Sequence, residues 1–189
     1  MPYHHFKGRD LNRSDKIQVL VLRELIDSRI PNSKRESSVE WEIKHSSSCI
    51  QIARILAEKR GLDVELAEII AALHDISVIE TGSYSNHAKE SSKIAKKILE
   101  KSHDFSGKEI ELVAAAIAEH SSKQDYSKNA YAELIKDADT LDCFLYDKSR
   151  NIYDEKPPKI RKEYFKRVVK VRKELGLPVN KYFLEQAGE

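Results

Sequence analysis

An all-helical domain is the fold class this sequence predicts, on three observations. Glycine and proline are scarce, six and five of 189 residues, while the helix formers Ala, Leu, Lys and Glu are abundant. Apolar residues return at the i, i+3, i+4 spacing of a helix in one segment after another. No segment alternates apolar and polar residues with comparable strength. The length suits one domain with a substantial core, so the expectation is a compact bundle of six to eight helices.

The elements follow in order. Residues 1–12 read as a polar lead-in carrying His4 and His5, residues 13–155 as the helical domain, and residues 156–189 as a basic amphipathic helix packed on the same domain. "SDKIQVLVLRELIDSRI" offers Ser14 as N-cap and apolar positions at Ile17, Leu20, Leu22 and Leu25. After "PNSKRESS", a helix from near Ser38 to Arg60 carries His45, Cys49, Ile52, Ala53 and Leu56 along one face, and Gly61 stops it. Asp63 caps the next helix, "VELAEIIAALHDI", and "SVIETGSYS" reads as a loop. Asn86 is placed to cap "HAKESSKIAKKILEKS", and Ser106 with Glu109 forms a capping box for "GKEIELVAAAIAEHSS". "NAYAELIKDADTLDCFLYD" keeps helical spacing at Leu134, Ala138, Leu141 and Leu145. Pro157 and Pro158 break the chain before a helix over roughly 159–175, with a short terminal helix near 180–187.

Composition excludes some classes. At 34% charged residues and with no apolar run near the ~20 needed to cross a bilayer, no membrane protein is expected. The start, "MPYHHFKGRD", lacks the apolar core of a signal peptide. Cys49 and Cys143 lie in helical segments without a CxxC pair, which reads as two reduced thiols in a cytoplasmic protein. A net charge of +2 favours no class of partner.

The chemistry is expected where polar residues interrupt apolar helix faces: His45, the pair His74–Asp75 closing "LAEIIAALHDI", and Asp139 in "KDADTLD". A buried carboxylate without a partner is costly. Singly, each residue has an ordinary explanation: a hydrogen bond to a carbonyl for a histidine, a cap or a basic partner for an aspartate. Two imidazoles and two carboxylates meeting in one core call for a cation, and their mixed N and O donors suit Mn, Fe, Co, Ni, Zn or Mg. Adjacent helical residues point about 100° apart, so His74 and Asp75 can share an ion only near a helix end.

The order His45, then His74–Asp75, then Asp139 resembles the HD superfamily of metal-dependent phosphohydrolases. "HSSSCIQIARILAEKRGLDVELAEIIAALHDIS" is similar to the family's helical segment with its first three ligands, and "IKDADTLD" to the segment ending in the last, at Asp139. The resemblance spans roughly residues 38–147. It implies a helical fold and hydrolysis of a phosphoester in a nucleotide or other small phosphorylated substrate. A carboxylate beside a metal can bridge two roles, so Asp75 is expected both as ligand and as acceptor of a proton from the attacking water. His87 and His120 stand where two-metal branches, among them cyclic-dinucleotide phosphodiesterases and some RNases, place extra histidines; many of those have an adjacent pair where this chain has His120 alone. One or two divalent ions are therefore expected. The other reading makes His87 and His120 ordinary helix-terminal residues. Glu80, the nearest acid after the doublet, does not match the acidic position of guanosine tetraphosphate hydrolases, which argues against that substrate.

Lys136 and Lys123 are the candidate cations for a phosphoryl group. From Lys156 to Lys173 there are nine Lys or Arg residues and one acid, Glu163. This stretch reads as a docked helix with a solvated basic face or as a wall attracting nucleic acid, with Tyr153, Tyr164 and Phe165 as its aromatics. Oligomeric state is not legible. The enzymatic alternative is a two-metal phosphodiesterase or nuclease; from another class comes a non-catalytic module that binds a metal or nucleotide and regulates a partner.

Overall fold

The structure, a computed structural model, describes residue 6 and residues 10–145 and 155–189; His4, His5 and Tyr153 lie outside them. Among the described residues every regular element is helical. The order is α1 (Arg13–Ile26), a 3-10 turn (Asn32–Lys34), α2 (Val39–Arg60), α3 (Val64–Leu73), α4 (Ile76–Thr81), α5 (His87–Ser102), α6 (Gly107–Glu119), α7 (Ala130–Phe144), α8 (Pro158–Glu174) and α9 (Lys181–Ala187). No described helix is long and apolar enough to cross a membrane.

Helix α3 is the axis of the bundle. It is buried from Leu66 to Leu73, and α1, α2, α5, α6 and α7 all pack on it. A helix apolar on every side has this place because no face of it gains from water. Its one buried acid, Glu68, is answered by Arg54 at 2.7 Å. Asp63 caps α3 through Leu66 N–H, Ser106 and Glu109 form their capping box, and Gly61 ends α2 at φ 65°, as the sequence predicts.

Four local expectations are corrected. The cap of α1 is Asn12, in a capping box with Asp15; Ser14 is instead buried inside the first turn. Asn86 stands at the N-cap of α5 with φ 53°, but its side chain caps nothing there. The "VELAEIIAALHDI" helix does not run through. It breaks after Leu73, and Ile76–Thr81, expected as loop, resumes as α4. Glu80 therefore lies on a helix, where it is exposed.

Two buried arginines tie loops to this frame. Arg35 donates to the carbonyls of Val78 and Ile79 at the end of α4, where a cation suits the helix dipole. Gly82, at φ 75°, makes room: a Cβ there would lie 3.1 Å from Arg35 Cγ. Arg167, on α8, is wholly buried and binds Asp137 at 2.9 Å and Glu133 at 2.8 Å. It also holds the carbonyls of Lys123 and Asp125, which fixes the loop between α6 and α7. Tyr164, Val168 and Val171 form the buried stripe expected of the C-terminal helix, with Ile160 and Leu175 at its margin. Part of its positive charge is spent inside the fold, since Lys170 reaches Asp137 at 2.9 Å.

Candidate metal centre

His45, His74, Asp75, His87, His120 and Asp139 come together at one end of the bundle. His45 projects from the middle of α2, and Asp139 from α7. His74 and Asp75 occupy the break between α3 and α4, where the backbone turns and lets both side chains face the same point. His87 opens α5, and His120 closes α6. All but His87, which is half-buried, are buried.

Hydrogen bonds at Nδ1 orient each imidazole. His74, His87 and His120 each donate from Nδ1 to the carbonyl three residues earlier, in Ala71, Tyr84 and Ile117, at 2.7, 2.8 and 2.7 Å. His74 and His120 stand at helix C-termini and His87 at an N-terminus, where the ring can reach the carbonyl three residues back; the Tyr84 and Ile117 carbonyls also accept the backbone N–H of His87 and His120. His45 is mid-helix, where the carbonyls are already used, and its Nδ1 bonds Asp142 Oδ2 at 2.6 Å instead. In every case Nε2 is left facing the centre, the arrangement of metal-binding histidines held from behind.

Asp75 lies between two groups of these nitrogens. Its Oδ2 is 3.3 Å from His74 Nε2 and 3.8 Å from His45 Nε2. Its Oδ1 is 3.3 Å from His120 Nε2 and 3.6 Å from His87 Nε2. Asp139 Oδ1 closes the first group, 3.7 Å from His45 Nε2. Asp75 Oδ1 and His120 Nε2 are buried with no hydrogen-bond partner. Such orphaned atoms are expensive, and a cation between them satisfies both. Donor atoms of Asp75, His87 and His120 lie within 4.8 Å of one another, as do those of His74, His120 and Asp139. The residues present therefore fit a divalent ion.

The field of the site is negative around His45. Burial pulls its pKa down, but the Asp142 bond and the carboxylates of Asp139 and Asp75 overcome this and raise it to about 9. His74 has a carbonyl rather than a carboxylate at Nδ1, and burial outweighs the nearby Asp75 and takes its pKa down to about 4. Burial opposes ionisation of Asp75, yet His74, His120 and His87 hold its carboxyl well below the usual range. A pocket that stabilises positive charge beside neutral imidazoles and an ionised carboxylate offers the donors a divalent ion would take.

The two lysines part company. Lys123 Nζ lies 2.5 Å from Asp139 Oδ2 and faces the cavity. Lys136 does not: its ammonium is buried against the Asp125 carbonyl at 2.9 Å and Glu133 at 3.3 Å. The expectation that Lys136 meets a phosphoryl group is thus corrected, because three residues before Asp139 its side chain lies to the side of the α6–α7 loop, not of the cavity. Asp137 likewise turns away, to Arg60, Arg167 and Lys170. His103 is exposed and stands apart from the cluster.

Above the centre opens a cavity of about 640 Å³. Trp41 forms one wall, its ring stacked on His45 at 5.6 Å, and Tyr84 and Tyr164 form others. Lys156 joins Lys123 there, both near the Tyr164 ring. Sequence reasoning missed Asp142, Trp41, Tyr84 and Lys156. Asp142 lay in plain view three residues after Asp139, one helical turn on; the aromatics carried no signal that separates wall from core.

A family model described as HD domain matches residues 43–143, a span that takes in His45, His74, Asp75, His87, His120, Lys123, Asp139 and Asp142. No curated protein and no solved structure matches the chain.

Proposed function

The chain belongs to the HD domain family, whose model covers more than half of its length, and from this we propose that it is a metal-dependent phosphohydrolase acting on a nucleotide or another small phosphorylated substrate. The observation that carries the reading is Asp75, with one carboxylate oxygen toward His45 and His74 and the other toward His87 and His120. In this reading His45, His74, Asp75 and Asp139 hold one ion, and Asp75, His87 and His120 a second. A metal held there would acidify a water and polarise the phosphoryl oxygen. With both oxygens committed to imidazole-lined positions, Asp75 serves as shared ligand rather than as the proton acceptor expected from the sequence.

The remaining residues bind and orient. Lys123 and Lys156 supply positive charge where negative charge grows on the phosphoryl oxygens. Trp41, Tyr84 and Tyr164 offer aromatic surface to a base or similar flat group. A cavity of this volume falls in the range of small-molecule sites, roughly 300–1,000 Å³.

The paired arrangement also supports a second reading, a two-metal phosphodiesterase or nuclease, since two ions suit both the attacking and leaving oxygens of a diester. Metal analysis of the purified protein, joined to phosphate release from a panel of nucleotides and cleavage of cyclic and linear diesters, separates these. Preference for diesters, or salt-sensitive binding and cleavage of RNA, favours the second. Metal and nucleotide binding without turnover of any substrate favours a regulatory module. His74→Ala is expected to lose both metal and hydrolysis; turnover retained by that variant overturns the site.

A further inference from the structure

We infer that the thiol of Cys143 is an additional ligand of the position held by His45 and Asp139, and that it makes this position selective for thiophilic divalent ions such as Zn2+, Fe2+ or Co2+ over Mg2+ and Mn2+. The inference rests on the metal-binding reading above and adds to it a residue outside the histidine–aspartate set.

Cys143 follows Asp139 by four residues on α7, so the two side chains share a helix face. Its Sγ donates to Asp139 Oδ1 at 3.5 Å. The other oxygen, Oδ2, is taken by Lys123. Oδ1 is thus the oxygen directed at the centre, toward both His45 Nε2 and the sulfur. Donor atoms of His45, Asp139 and Cys143 lie within 4.8 Å of one another. Bonds of ~2.0–2.3 Å to a single ion close that span with a small side-chain rotation. Cys143 also lines the cavity. As the metal–sulfur bond forms, the S–H bond breaks and its proton leaves to solvent through that opening.

Cys49 is the natural competitor, and geometry disfavours it. Its sulfur is 3.7 Å from His45 Nδ1 and 3.8 Å from Nε2. Equal distances to both nitrogens put it off the Nε2 lone-pair direction, where an ion bound to His45 must lie. It is also wholly buried and does not reach the cavity. A thiolate among nitrogen and oxygen donors shifts preference toward softer ions.

The test is titration of the metal-free protein with Co2+ alone, read by absorption. The expected result is a thiolate-to-cobalt charge-transfer band in the near ultraviolet, kept in Cys49→Ser and lost in Cys143→Ser. Equilibrium dialysis should show Co2+ affinity falling more than about tenfold in Cys143→Ser, with Mn2+ affinity changed by less than about twofold. Tight Co2+ binding without the band overturns the inference and leaves the metal-binding reading standing. Binding of neither ion overturns both. A band lost in Cys49→Ser and kept in Cys143→Ser assigns the ligand to the other thiol and overturns it too. The wild-type and Cys49→Ser spectra together decide the matter even if Cys143→Ser folds poorly: a band present in both assigns the sulfur to Cys143, and a band lost in Cys49→Ser overturns the inference.

Discussion

Asp142 accepts a hydrogen bond from His45 Nδ1 at 2.6 Å, and both side chains are buried between α2 and α7. This contact sets which nitrogen of His45 faces the centre, and it raises the basicity of that nitrogen. Asp142→Asn should keep the fold but weaken metal binding by about 10–100-fold. Isothermal titration of the metal-free protein checks this; affinity within about twofold of wild type would remove the positioning role from Asp142.

The split of Asp75 between two imidazole groups predicts separable ions. His120→Ala removes a nitrogen from the second group and leaves His45, His74 and Asp139 in place. It should lose one equivalent of bound metal and keep the other, whereas Asp75→Asn should impair both. Elemental analysis after dialysis at fixed metal concentration reads the stoichiometry. An unchanged stoichiometry in His120→Ala would place that histidine outside the centre.

Arg167 links stability to the site. Its guanidinium compensates buried Asp137 and half-buried Glu133 and anchors the carbonyl of Lys123. Arg167→Ala should cost on the order of 3 kcal/mol, because removing one partner of a buried pair leaves charge unanswered. Arg60 and Lys170 still reach Asp137 and limit the loss. Urea unfolding measures it. Lys136→Met should lower stability as well, yet leave kcat/KM on any substrate found unchanged per folded molecule, since its ammonium faces away from the cavity.

Acid stability carries a signature of Glu109. The backbone and side chain of Ser106 and the guanidinium of Arg13 bring its carboxyl from 4.5 down to about 2. A pKa lower in the folded state stabilises the fold above the unfolded value and loses that effect as pH falls toward the folded one. The wild type should therefore lose stability between pH 4.5 and about 2, and Glu109→Gln should show a shallower loss across that window. Denaturation midpoints at a series of pH values test this; parallel curves would show that other carboxylates carry the acid limb.

Much of the fold and of the site's membership is written locally. Helical spacing, Asp63, the Ser106–Glu109 box and Gly61 specify helices and their ends through contacts within a few residues. The HD order of His45, His74–Asp75 and Asp139 is legible because the residues are polar intrusions on faces that otherwise demand burial. Tertiary structure decided what depends on separate helices meeting. The break after Leu73 is not marked by any glycine or proline. It arises where α3 ends and α4 packs on α5, and it alone lets His74 and Asp75 point to one place. The division of Asp75 between two histidine pairs, the pairing of Asp142 with His45, and the turning of Lys136 to a loop while Lys123 enters the cavity are likewise contacts between elements far apart in the chain. Spacing along one helix fixes direction around its own axis; it carries no information about which neighbour stands opposite.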